Sequence, residues 1–132
     1  CQFSRSCADA ETAANLPEAF RAAFVKPSAD ATVWRERGYE LFDGVRWETG
    51  RFDRVVFEGE GASRSATIYD FKTNAKGVRE DEAAFAKRLG GLYAAQMSAY
   101  RQALGRLTGI PVTRIATKLL LAATGQSVTV EG

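Results

Sequence analysis

The residues best suited to chemistry lie in Ile68-Tyr69-Asp70-Phe71-Lys72-Thr73. The run is strand-like, and side chains two apart on a strand share a face. Asp70 and Lys72 therefore set a carboxylate beside an ammonium group. A carboxylate that can hold a divalent metal, next to a cation that can orient water or stabilise developing negative charge, suits phosphodiester hydrolysis. A second acid, Asp53, stands seventeen residues earlier in Gly50-Arg51-Phe52-Asp53-Arg54, in another strand-like run. Twenty-four residues after Lys72 comes Gln96-Met97-Ser98-Ala99-Tyr100. Gln96 and Tyr100 are four apart and share one side of a helix. The amide can bond phosphate or a catalytic side chain, and the phenol can bond phosphate or stack on a base. If the strands of Asp53 and Asp70 are neighbours, two carboxylates meet in the way Mg²⁺ accepts, and the Phe71 backbone carbonyl is a further candidate ligand.

Taken singly, each motif has an ordinary reading. Asp70 and Lys72 can be a surface ion pair, Asp53 an acid paired with Arg51 or Arg54, and Tyr100 a core residue. Trp34 and Trp47 read as packing residues. Lys76, Arg79, Lys87 and Arg88 can contact DNA phosphates, but Glu80, Asp81 and Glu82 are interspersed among them, as in a solvated loop.

The elements that must position these groups follow from periodicity. Residues 8–24 read as a helix, with Leu16, Phe20, Ala23 and Phe24 at helical spacing. Residues 33–42 and 45–58 read as a hairpin turning at Asp43-Gly44. A two-residue turn there places Asp53 opposite Trp34 and Glu36 opposite Arg51, so that Glu36 and Asp53 share a face. Residues 66–73 form a third strand, and 74–91 a charged loop with at most a short helix, broken at Gly90-Gly91. Residues 92–107 carry the broadest apolar stripe and are expected to be helical, ending at Thr108-Gly109-Ile110-Pro111. Ile115–Ala122 is an apolar interior strand and Ser127–Val130 an edge strand. The order predicts an α/β domain built on a mixed sheet.

Composition narrows the chemistry. The chain has 132 residues, enough for one domain, with 45% hydrophobic and 26% charged residues and a net charge of +2. Histidine is absent, which removes serine–histidine and cysteine–histidine catalysis. Cys1 and Cys7 cannot complete a zinc site without histidine, and read as ordinary intracellular thiols. No apolar run approaches the ~18 residues of a membrane-spanning helix. The chain starts at Cys1 and stops abruptly at Gly132, as a piece of a longer protein would.

The three motifs in this order resemble the RecB-like branch of the PD-(D/E)XK nuclease superfamily, and more narrowly the C-terminal nuclease domain of RecB/AddA-type helicase–nucleases. The likeness spans about residues 33–122. It implies a restriction-endonuclease-like core over 33–130 behind an N-terminal helical segment, 1–30. It implies Asp53 and Asp70 as ligands of Mg²⁺ or Mn²⁺, Lys72 as the catalytic lysine, and Gln96 and Tyr100 as a DNA-proximal pair. The implied protein is a bacterial, cytoplasmic deoxyribonuclease of exonuclease type. It would act on DNA with a superfamily 1 helicase motor, in cis or as a partner subunit, in double-strand-break repair. A catalytically inactive module of the same fold, binding DNA or serving as a scaffold, is the alternative. The chain departs from the family in two places. Phe52 replaces the proline before Asp53, and the histidine or glutamate carried on an upstream helix has no histidine counterpart. Glu11 and Glu18 are candidates for that role, and Glu36 is the candidate from the hairpin register.

Overall fold

The computed structural model describes Phe20, Ala23, Phe24 and residues 31–131. Five strands form one sheet in sequence order: β1 (Thr32–Phe42), β2 (Trp47–Glu58), β3 (Ser65–Lys72), β4 (Ile115–Leu121) and β5 (Gln126–Thr129). All neighbours are antiparallel except β3 and β4, which run parallel. Parallel neighbours need a long crossover, and here it carries α1 (Glu82–Leu92) and α2 (Ala94–Thr108). The expected α/β fold with a mixed sheet is the one observed.

Both faces of the sheet are covered. Val55, Phe57, Ile68, Leu119 and Leu121 pack against Phe85 and Leu89 of α1 and Met97, Ala103 and Leu104 of α2. On the other face, Val56, Tyr69 and Leu120 meet Phe20, Ala23 and Phe24, of which Phe24 stacks on Phe71 with ring centroids 5.4 Å apart. Leu119, Leu120 and Leu121 are all fully buried, which is why β4 reads as a continuous apolar run rather than an alternating one.

Three expectations need correction. The hairpin loop has four residues, not two: Phe42 pairs with Trp47, and the Asp43 carboxylate accepts the Val45 and Arg46 N–H groups at 2.8 and 2.9 Å. The aspartate side chain takes the amides two and three residues on, so the turn widens beyond Asp43-Gly44. The register moves by two, which places Trp34 opposite Val55 and Arg51 opposite Gly38. Next, residues 74–91 are not mainly loop, because α1 occupies Glu82–Leu92 and runs through Gly90 and Gly91. Its N-terminus is capped by Asp81, which accepts the Ala84 N–H at 2.7 Å. It buries only Phe85 and Leu89, too narrow a stripe to stand out among charges. The break falls at Tyr93, so the later helix starts at Ala94. Finally, Trp47 is 64% exposed and pairs with Phe42 across the hairpin tip, so it is not a core residue. Trp34 does pack, edge-on to Phe57 at 4.8 Å.

Gly50 shows how the hairpin is locked. It pairs with Tyr39, and a Cβ placed on it would collide with the Tyr39 ring. That ring is buried and stacks on Phe52 at 4.8 Å. Gly50→Ala is therefore expected to displace Tyr39 and to cost about 1–3 kcal/mol. An unchanged urea midpoint for this variant would show that the ring slides aside freely.

Candidate active site

The site forms where β2 and β3 separate. Their pairing ends at Arg54 opposite Tyr69. One step further, the main chain of β2 no longer supplies the acceptor. The Asp53 carboxylate takes the Phe71 N–H instead, at 2.9 Å. The N–H and C=O of a strand residue point the same way, so the Phe71 carbonyl is directed toward the β2 side as well. Alternation on β2 also breaks here, since Phe52 and Val55, three residues apart, enter the same core. Across the hairpin, Glu36 falls between the pairs Arg35–Arg54 and Arg37–Phe52, and its backbone is left-handed with φ 44°. Such a φ is uncommon outside glycine and marks a local distortion.

Asp70 is buried next to this fork, at 4% exposure. Its Oδ2 lies 2.8 Å from Lys72 Nζ, yet among the described residues it makes no hydrogen bond of acceptable geometry. The contact is Coulombic, and a buried carboxylate oxygen is left with unused acceptor capacity. Lys72 Nζ donates to Gln96 Oε1 at 3.0 Å and sits 4.0 Å from the centroid of the Tyr93 ring. Tyr93 in turn donates its hydroxyl to Asn74 Oδ1 at 3.0 Å. Tyr100 meets Phe52 edge-on at 5.7 Å and Tyr39 at 6.5 Å.

The electrostatics report one crowded cluster. Burial pushes the Asp53 carboxyl up to about 6, and a hydrogen bond with Asp70 and its charge push the same way, against the Phe71 N–H and Lys72. Burial, then Asp70, Tyr39 and Asp53, push the Tyr100 phenol up to about 12, so it remains a donor. Asp53, Asp70, Lys72, Gln96 and Tyr100 thus converge, although they come from two strands and a helix. Glu36 lies at the register position facing Asp53, and its carboxylate is 3.7 Å from Arg51. Glu11 and Glu18 lie outside the described residues, as do Cys1 and Cys7.

The basic residues of 74–91 divide. Arg88 binds Glu80 through two nitrogens at 2.8 and 3.0 Å, and Lys76 donates to the carbonyls of Gly77 and Glu80 at 3.1 and 2.7 Å. These two hold the connecting loop together, whereas Arg79 and Lys87 are exposed. Sequence reasoning missed Tyr93 and Asn74. The available signal was position: Tyr93 precedes Gln96 by three and Asn74 follows Lys72 by two.

A model of the PD-(D/E)XK nuclease superfamily matches residues 4–127. The chain belongs to the PD-(D/E)XK nuclease superfamily. No curated protein and no solved structure matches it. Within this PD-(D/E)XK domain, the fork between β2 and β3 holds two aspartates and a lysine.

Nucleases of this superfamily generally depend on a divalent metal. Among the described residues no group of three or more His, Cys, Asp or Glu side chains forms a cage. Two adjoining carboxylates, one with an unsatisfied buried oxygen and one pushed toward protonation, do fit Mg²⁺ or Mn²⁺, which bind few carboxylates and keep several waters.

The Asp53 shift has a consequence for stability. Its ordinary value is 3.8 and its folded value about 6. The folded state therefore binds this proton more tightly than the unfolded chain. The resulting stabilisation is fully present below the unfolded value and is lost as pH rises through the folded one. Glu80, held down to about 2 by Arg88, acts in the opposite sense below its ordinary 4.5, so the two windows overlap only between 3.8 and 4.5. Metal-free protein is expected to lose on the order of 1–2 kcal/mol relative to Asp53→Asn between about pH 4 and pH 7, after allowance for solvent screening of a half-buried group. Thermal melts across that range check this. A constant difference between the two proteins would mean the carboxyl is unperturbed. At neutral pH, Mn²⁺ is expected to raise the melting temperature of wild type but not of Asp70→Asn.

Proposed function

We propose that this domain hydrolyses DNA phosphodiesters with a divalent metal, Mg²⁺ or Mn²⁺, held by Asp53, Asp70 and the Phe71 carbonyl. The observation that carries the reading is the meeting of two carboxylates and an ammonium group at the end of the β2–β3 pairing. A cation bound there would neutralise charge on the phosphoryl oxygens and acidify a water. The chain's own residues do the rest. Asp53 and Asp70 supply the negative charge that concentrates the cation. Lys72 faces the same space and opposes negative charge that develops during attack on phosphorus. Gln96 holds the lysine by its amide oxygen, so its role is to position Lys72 as much as to meet DNA. Tyr100 keeps its proton and can donate to a phosphate oxygen.

The finer reading is an exonuclease of RecB/AddA type, working with a superfamily 1 helicase motor in cis or as a partner subunit in double-strand-break repair in the bacterial cytoplasm. It is supported by the order and spacing of the three motifs. No helix among the described residues is long and apolar enough to cross a membrane. One observation favours the alternative, an inactive nuclease-fold module that binds DNA or scaffolds a complex. The third acid, Glu36, is engaged by Arg51, and no third metal-type ligand joins the aspartates among the described residues.

Cleavage of linear and covalently closed circular DNA in Mg²⁺ or Mn²⁺ separates these readings. Wild type is expected to degrade linear DNA and spare circles. Asp70→Ala and Lys72→Ala are expected to lose about 10²–10³-fold in rate, the scale of removing one group that stabilises transition-state charge. Equal cutting by wild type and both variants would end the proposed mechanism. Metal binding without cleavage would support the inactive module.

A further inference from the structure

Lys72 is held by more than its acid neighbour. An ammonium group has three N–H donors on a flexible four-carbon stem, and confining that stem costs rotamer entropy. Two contacts, to Asp70 Oδ2 and Gln96 Oε1, leave a third direction open. The Tyr93 ring lies in contact with the same Nζ, 4.0 Å from its centroid. An aromatic face attracts a cation there through its quadrupole.

The ring is itself tightly placed. Tyr93 sits at the break between α1 and α2, with φ −105° and ψ 7°. Its N–H donates to Leu89 O at 3.0 Å, and its carbonyl accepts from Met97 N at 2.9 Å, tying it to both helices. Its hydroxyl is anchored on Asn74, two residues beyond Lys72. Backbone on both sides and hydroxyl at the tip leave the ring little freedom. The helix break and the loop after β3 together aim one aromatic face at one ammonium group.

We infer that Tyr93 is a positioning residue for Lys72, a role that rests on the nuclease reading above. A cation on Asp70 would weaken the Lys72–Asp70 pair, because the carboxylate's charge is then shared. Tyr93 and Gln96 keep the ammonium aimed at the fork in that state. The ring also makes the site selective for lysine: a planar guanidinium would stack on Tyr93 and point its donors elsewhere.

The test uses Tyr93→Leu, Tyr93→Phe, and pentafluorophenylalanine installed at position 93, which keeps the ring's shape and removes its negative face. The Leu variant and the fluorinated ring are expected to lower kcat by about 3- to 30-fold, with KM within about twofold of wild type. Phe is expected to restore kcat to within about threefold. NMR of the metal-free protein supplies a readout independent of activity. The Lys72 ε-methylene protons are expected upfield in wild type and Tyr93→Phe, and at ordinary positions in Tyr93→Leu. If the fluorinated ring performs as well as Phe, or the lysine protons do not move in Tyr93→Leu, the inference is overturned. A wild-type protein that cuts no DNA defeats the nuclease reading instead, and the NMR comparison alone then decides the contact. Should Tyr93→Leu fail to fold, the fluorinated variant decides kcat and the loss of the lysine shift is read in Tyr93→Met, which fills the position without a ring.

Discussion

The organising constraint is a single exchanged hydrogen bond. A sheet must satisfy every buried N–H, and the Phe71 N–H would ordinarily find its acceptor on the main chain of β2. Here the Asp53 side chain replaces that acceptor. The substitution lets the two strands separate without orphaning a donor. It also holds a carboxylate at the mouth of the gap, beside Asp70. Glu36, left-handed at the same level of β1, shows that the distortion continues across the hairpin. Removing this bond would disturb the sheet's end and the site's charge together.

Two carboxylates forced together in a half-buried place are unfavourable while both are ionised. The domain leaves that conflict partly unresolved. Lys72 offsets it, but Asp53 remains perturbed and one Asp70 oxygen lacks a hydrogen bond among the described residues. A well-satisfied network would add stability and have no use for a cation. The surroundings are closely tied: the Tyr39–Phe52–Tyr100 ring cluster backs the site on one side, and the bound Glu80–Arg88 loop closes the connection from β3 to α1.

Several features were readable without coordinates. β3 and β4 stand within a residue of their expected bounds, because one is flanked by polar turns and the other is apolar throughout. The end of α2 is where Thr108-Gly109-Ile110-Pro111 places it, with Gly109 left-handed at φ 78°. Other features were hidden for identifiable reasons. Gly90 and Gly91 read as a break, yet tertiary packing of Phe85 and Leu89 carries α1 through them, against a propensity cost of about 1 kcal/mol each. The hairpin register failed because the Asp43 side chain bonds the two amides beyond the expected turn. Asp53's direction was also beyond strand parity, because parity assumes an unbroken pleat.

The sequence by itself determined which groups are present and their order: an aspartate, then Asp-x-Lys, then a glutamine and a tyrosine one helical turn apart. It determined the mixed α/β plan too, since periodicity and turn residues are local properties. Only the tertiary structure decided how the groups meet. It turned Asp53 toward the Phe71 amide, drew the exposed Gln96 onto Lys72, engaged Glu36 with Arg51, and brought Tyr93 over the lysine. Each of those outcomes depends on where one strand stops pairing with the next and on how a helix break faces that gap. Such relations join residues 15 to 24 positions apart, and no local pattern in the chain encodes them.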